Sequence, residues 1–179
     1  MAVSPVRVIA AVLLASLTVL ASAGERSEIP EKYTWNLSDL YAGPAAWRTR
    51  KAEVAGRLGE IDALKGTLGA SPEAFEKGLA TLMDVKKEVV RLYVYAMQLR
   101  DQDTGVAENA ALFQEAEQLM NAFQAASAFV RPEILTVGRA KVDGFVASSP
   151  GLRPYVPYLD DILRMAPHTR SGEVETVMV

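Results

Sequence analysis

The chain has no cysteine and one histidine, His168, among its 179 residues. The first absence excludes disulfides, thiolate nucleophiles, cysteine metal sites and a lipid anchored through an N-terminal cysteine. The second means that no two imidazoles can share a metal ion, and no Cys-His or Ser-His-Asp set is evident. An excess of basic charge is also missing. The formal net charge is −3, which argues against a general nucleic-acid binder. Long apolar runs are scarce as well, with one instance, at the N-terminus.

That run extends from Val8 to Leu20, follows Arg7, and leads into Ala21-Ser22-Ala23. A basic flank, an apolar stretch and small residues at the end form an export signal, with residues 1–23 as signal peptide and Ala21 and Ala23 as the small cleavage-site residues. The alternative, a retained membrane anchor, asks for about 20 apolar residues, longer than this core. Cleavage after Ala23 implies a periplasmic or secreted protein with no membrane association once the signal is removed. It takes away one of the 19 basic residues and no acidic one, so 18 basic side chains face 22 acidic ones. The 156 residues left of 179 suffice for one domain with a hydrophobic core.

Residues 24–32 read as a flexible leader, and residues 33–179 as one helical domain. Trp35-Asn36-Leu37-Ser38-Asp39-Leu40-Tyr41 surrounds a Ser-Asp pair with large apolar groups. That suits a short turn clasped on the domain. A first long helix opens at Pro44 and aligns Trp47, Val54, Leu58 and Ile61 on one face, with Gly66 and Gly69 ending it. Ser71-Pro72 reads as N-cap and first-turn proline of a second helix to about Leu99. Its buried stripe is Phe75, Leu79, Leu82, Val85, Val89 and Leu92. Asp103 or Thr104 caps a third helix to roughly Val130, lined by Phe113, Ala116, Leu119, Met120, Phe123 and Ala126. The second and third helices form an antiparallel hairpin, so the expected class is all-α.

Pro132 fits a further helical start, with Val142 and Phe145 continuing an apolar face. Ser148-Ser149-Pro150-Gly151 marks a break. Leu159, Ile162, Leu163 and Met165 mark a short helix before Pro167. Ser171 can cap one more, but only eight residues follow, too few for a stable isolated helix. That implies a chain cut off inside its domain, the alternative being a naturally frayed terminus. Trp35, Trp47, Phe113 and Phe123 are expected to carry the packing.

Four segments, in order, resemble the N-terminal region of oligoendopeptidase F, of the thimet-like zinc metallopeptidases. Trp35 to Tyr41 is similar to the family's W-x-L-x-D-L-Y opening. Tyr93-Val94-Tyr95-Ala96 with Asp101-Gln102-Asp103-Thr104 resembles its tyrosine-rich helix and acidic corner. Arg131-Pro132-Glu133-Ile134-Leu135 resembles its P-E-I-L start, and Tyr158-Leu159-Asp160-Asp161-Ile162-Leu163-Arg164 with Pro167-His168-Thr169 resembles the segment leading toward the catalytic domain. Arg170 departs from the leucine usual after the histidine.

The resemblance implies an all-α N-terminal part whose partners are oligopeptides and a C-terminal catalytic domain that this chain lacks. It also implies Zn²⁺ for that missing domain, held by an HExxH helix and a further acidic ligand. This chain has no HExxH, so no catalytic or zinc-binding residue is assigned within it, and alone it should be inactive. His168 reads as a turn or helix-end residue. Asp101 with Asp103, and Asp160 with Asp161, could be paired carboxylates or a hard-cation site, but a capping corner and a solvated helix face account for them. Gly56, Gly59, Gly66 and Gly69 have no phosphate-loop spacing. Met83, Met97 and Met120, with Tyr93 and Tyr95, are core by spacing, although they could also line a peptide groove. A different class of function is a free-standing periplasmic helical module that binds peptides or another protein.

Overall fold

The computed structural model describes the backbone of residues 29–168 and the side chains of residues 29–167. The expected signal peptide with Ala21 and Ala23, most of the leader, the Ser171 cap and the apolar end Thr176 to Val179 lie outside the described residues, as does the His168 side chain. The chain divides into two units, one ending at Trp35 and one beginning at Asn36. In the first, Glu31–Tyr33 is a single 3₁₀ turn, closed by Tyr33 N–H donating to the Pro30 carbonyl at 2.9 Å. Tyr33 is 71% exposed and Trp35 53%. The expectation that Trp35 is a packing residue is therefore corrected. An aromatic next to a turn is read from sequence as buried, but no periodic pattern fixes the direction in which it points.

The second unit is all-α, and no strand occurs among the described residues. After a 3₁₀ turn at Leu37–Asp39, its helices are α1 (Pro44–Gly56), α2 (Leu58–Asp62), α3 (Pro72–Gln102), α4 (Ala107–Ser127), α5 (Val130–Val137), α6 (Arg139–Ser148) and α7 (Val156–Arg164), with a 3₁₀ segment at Pro150–Tyr155 before α7.

Helix α3 starts where the Ser71-Pro72 pair predicts. Ser71 Oγ accepts from Ala74 N–H at 3.1 Å, and Pro72 occupies the first turn, where its missing N–H costs nothing. The six expected stripe residues are all buried, together with Gly78, Tyr95 and Ala96. At 31 residues, α3 runs about 46 Å at ~1.5 Å per residue. It packs against α1, α2, α4 and α6 and against the 3₁₀ segments Leu37–Asp39 and Pro150–Tyr155. Gly78 has its use here, because a Cβ at that position would lie 2.6 Å from Leu68 Cδ2.

The antiparallel α3–α4 hairpin forms as expected, but its corner is built differently. Asp103 Oδ1 accepts from Gly105 N–H at 3.0 Å, which is a local turn, and α4 begins only at Ala107 without a side-chain cap. Asp103 and Thr104 therefore do not cap α4. The corner is tied instead by Asn109 Nδ2, which donates to the Leu99 carbonyl at 3.2 Å.

The first expected long helix is two helices. At Arg57 the backbone (φ −84°, ψ −8°) tightens so that its N–H reaches the Val54 carbonyl at 3.0 Å. Gly56 and Gly59 flank the break, and each costs about 1 kcal/mol of helix propensity relative to alanine. Arg57 itself is held by Glu60 and by Asp84 of α3. Val54 and Ile61 remain fully buried across the break.

The segment after α4 also divides. Helix α5 starts at Val130, two residues before Pro132, and stops at Gly138, where φ +81° and ψ 156° begin α6. That backbone region is essentially confined to glycine. No atom lies within 4 Å of a Cβ built there, so the cost of a side chain is torsional and not steric. Gly138→Ala is expected to destabilise the protein by about 1–3 kcal/mol, read as a lower midpoint in a far-UV thermal melt; an unchanged midpoint would mean that the α5–α6 joint relaxes without cost. Met165, expected within the short helix α7, is the residue just after its end and is 41% exposed.

The core is continuous from Trp47 and Val54 through the α3 stripe to Leu112, Ile134, Val142, Leu159 and Ile162. Phe75 meets Phe145 with ring centroids 5.6 Å apart, joining α3 to α6.

Candidate functional site

Helix α4 has two unlike faces. On one, Glu108 and Glu115 pair with Arg48 at 3.0 Å and Lys51 at 2.7 Å on α1. On the other, an open groove of about 630 Å³ is bounded by Tyr93 of α3 and by Met120. Its polar wall consists of Gln114, Gln118, Asn121 and Gln124 with Glu117. Their spacing of four, three and three residues follows the helical turn, so the carboxamides stand in a row. Among the described residues none of these four carboxamides is hydrogen-bonded and Glu117 has no ion pair.

The Tyr93 ring packs on that of Phe113, 5.4 Å between centroids, and the Arg100 guanidinium lies over the Phe113 ring at 3.9 Å. Of the five residues considered for a groove, the structure brings Tyr93 and Met120 together. Tyr95 is buried, edge-on to Tyr41 at 5.3 Å, and Met83 and Met97 are half-buried against the core. The carboxamide row was not part of the sequence reading. Its signal is the i, i+4, i+7, i+10 placement of side chains that are uncharged and usually regarded as solvent filler.

The first Asp pair departs from its capping reading, since Asp101 binds Arg100 at 2.6 Å and Asp103 closes the corner without capping α4. The second is a solvated helix face as expected, with Asp160 paired to Arg139 and Asp161 between Arg131 at 3.8 Å and Arg164 at 2.7 Å. A smaller apolar pocket of about 270 Å³ lies between α6 and α7, lined by Val142, Val146, Val156 and Leu159. The Tyr41 hydroxyl is buried without a hydrogen-bond partner among the described residues, and burial raises its pKa against the opposing charge of Arg91.

Zinc does not fit the residues present. The chain has one histidine and no cysteine, and among the described residues no group of three His, Asp or Glu side chains could hold a metal ion. No chemical step through zinc can be derived from this chain. Nor is any helix of the described residues long and apolar enough to cross a membrane.

The profile of the Oligopeptidase F family matches residues 133–179. Group B oligopeptidase PepB of Streptococcus agalactiae is 28% identical over 153 residues, covering 86% of this chain and 26% of PepB. Oligopeptidase PepF of Bacillus subtilis is 29% identical over 154 residues, 86% of this chain and 23% of PepF. The crystal structure of oligoendopeptidase-F from Enterococcus faecium superposes with a TM-score of 0.69 at 26% identity, over 76% of this chain and 27% of that one. The chain thus spans about a quarter of the length of the curated relatives it matches.

Proposed function

We propose that this chain, an oligoendopeptidase F-like N-terminal region, forms one wall of the peptide cavity in an exported, oligopeptide-cleaving zinc metalloendopeptidase, and that all zinc ligands lie outside it. The carrying observation is an asymmetry of coverage. Nearly nine-tenths of this chain is similar to only about a quarter of each oligopeptidase, and that quarter contains one histidine here, where an HExxH helix needs two. Export to the periplasm or the medium rests on the Arg7 to Ala23 signal pattern. The groove between Tyr93 and Met120 supports the cavity role, since its polar groups are uncommitted.

Two experiments test this. The purified chain is expected to retain no stoichiometric zinc by metal analysis and to leave oligopeptides uncut; zinc-dependent turnover by a contaminant-free sample would locate the chemistry here instead. In a chimera, residues 36–168 replace the matching region of Bacillus subtilis PepF. Oligopeptide cleavage is expected to persist with an altered peptide preference. A folded, zinc-loaded chimera that keeps the parent's preference unchanged would refute the cavity-wall role.

A further inference from the structure

We propose that the groove on α4 is a main-chain subsite for an extended peptide, and that Glu117 gives it a preference for a basic side chain. This rests on the cavity-wall reading and adds to it which residues hold the peptide and what they select. A carboxamide carries both a donor and an acceptor, so it can pair with a peptide amide in either orientation and is indifferent to the side chain attached. Gln114, Gln118, Asn121 and Gln124 repeat this group along about 15 Å of helix, at ~1.5 Å rise per residue. An extended peptide advances about 3.3 Å per residue and presents like groups every second residue. The row therefore spans four to five peptide residues, and side-chain torsions absorb the difference between the two repeats.

The rest of the lining is less polar. Tyr93 of α3 packs its ring on Phe113, and Met120 of α4 offers a flexible thioether suited to varied side chains. The lining has a single charge, Glu117. The acids Glu108 and Glu115 on the other face of the same helix are each neutralised by a basic residue of α1, whereas Glu117 is not. An unneutralised carboxylate among neutral amides attracts a cationic side chain and repels an acidic one.

The test is fluorescence anisotropy on the full chain with two labelled heptapeptides of blocked termini, identical except for arginine or glutamate at the centre. The arginine peptide is expected to bind about 2- to 5-fold tighter, the upper part of the range for an exposed ion pair. Glu117→Gln should erase that difference. Gln118→Ala with Asn121→Ala should weaken both peptides alike, by about 5-fold or more for two lost hydrogen bonds. These are exposed positions on α4, and an unchanged thermal melt verifies the fold of each variant. Equal binding of both peptides, insensitive to the variants, overturns this inference and leaves the cavity-wall reading to its chimera. Absence of peptide binding, or binding of a neutral oligosaccharide in its place, overturns it as well.

Discussion

Trp47→Ala is expected to lower the stability of the protein by about 3–5 kcal/mol, the range for removing a fully buried large aromatic side chain. Trp47 is 0% exposed, and its indole Nε1 donates to the Leu92 carbonyl at 2.9 Å. It is the point at which α1 joins the middle of α3, so its removal opens a cavity between two helices rather than at a surface. The indole N–H has a partner even though its site is apolar, as a buried tryptophan requires. Trp47→Phe separates the two contributions: most of the ring is retained, while the hydrogen bond and part of the volume are lost. Because a domain of this size is stable by only about 5–15 kcal/mol, the alanine variant should unfold at far lower urea. Far-UV circular dichroism is the suitable readout, since the substitution removes one of only two tryptophans. A loss under about 1 kcal/mol would mean that α1 repacks, against the limited relaxation of close-packed interiors.

Glu133→Ala is the second large effect. Its two carboxylate oxygens accept from the Gly66 and Leu68 backbone N–H groups, both at 2.8 Å, so that α5 fastens the loop after α2. Gly66 has φ +79°, and the turn it makes directs both N–H groups toward the same carboxylate. Hydrogen bonds to a charged partner contribute about 1.5–3 kcal/mol each. The two share one half-buried carboxylate and are not additive, so the alanine variant should lose roughly 2–4 kcal/mol in total. Glu133→Gln keeps one acceptor oxygen but turns an NH₂ toward the other N–H, and should lose at least half as much. Amide hydrogen exchange locates the effect, with protection at Gly66 and Leu68 falling more than along α3. Unchanged exchange at both amides would refute the fastening role. The P-E-I-L segment thus has a structural task, with Glu133 tying the loop and Ile134 fully buried.

The positions that local chemistry controls were legible in the sequence. Pro44 and Ser71-Pro72 start helices because a proline's fixed φ and a serine's acceptor act within one turn. The stripe from Phe75 to Leu92 is buried because a 3.6-residue period puts it on one side of α3. That no HExxH helix can form follows from counting histidines. Where a residue's role depends on a distant partner, the sequence was silent or misleading. Nothing local distinguishes a glycine that breaks a helix, such as Gly138, from one buried inside it, such as Gly78 under Leu68. Asp103 beside α4 looks like a cap, but Gly105 is nearer to its carboxylate. Glu133 looks like one more helical acid until the Gly66 turn, 67 residues away in sequence, meets it. The groove belongs to this second group. One face of α4 is neutralised by α1 and the other is not, and that difference exists only once three helices pack together. The sequence by itself determined the helical class, the helix starts at Pro44 and Pro72 and the lack of a second histidine for an HExxH helix, because these depend on neighbours within a turn or on composition; tertiary structure alone decided which polar groups remain free to bind, because that depends on which of them packing has already satisfied.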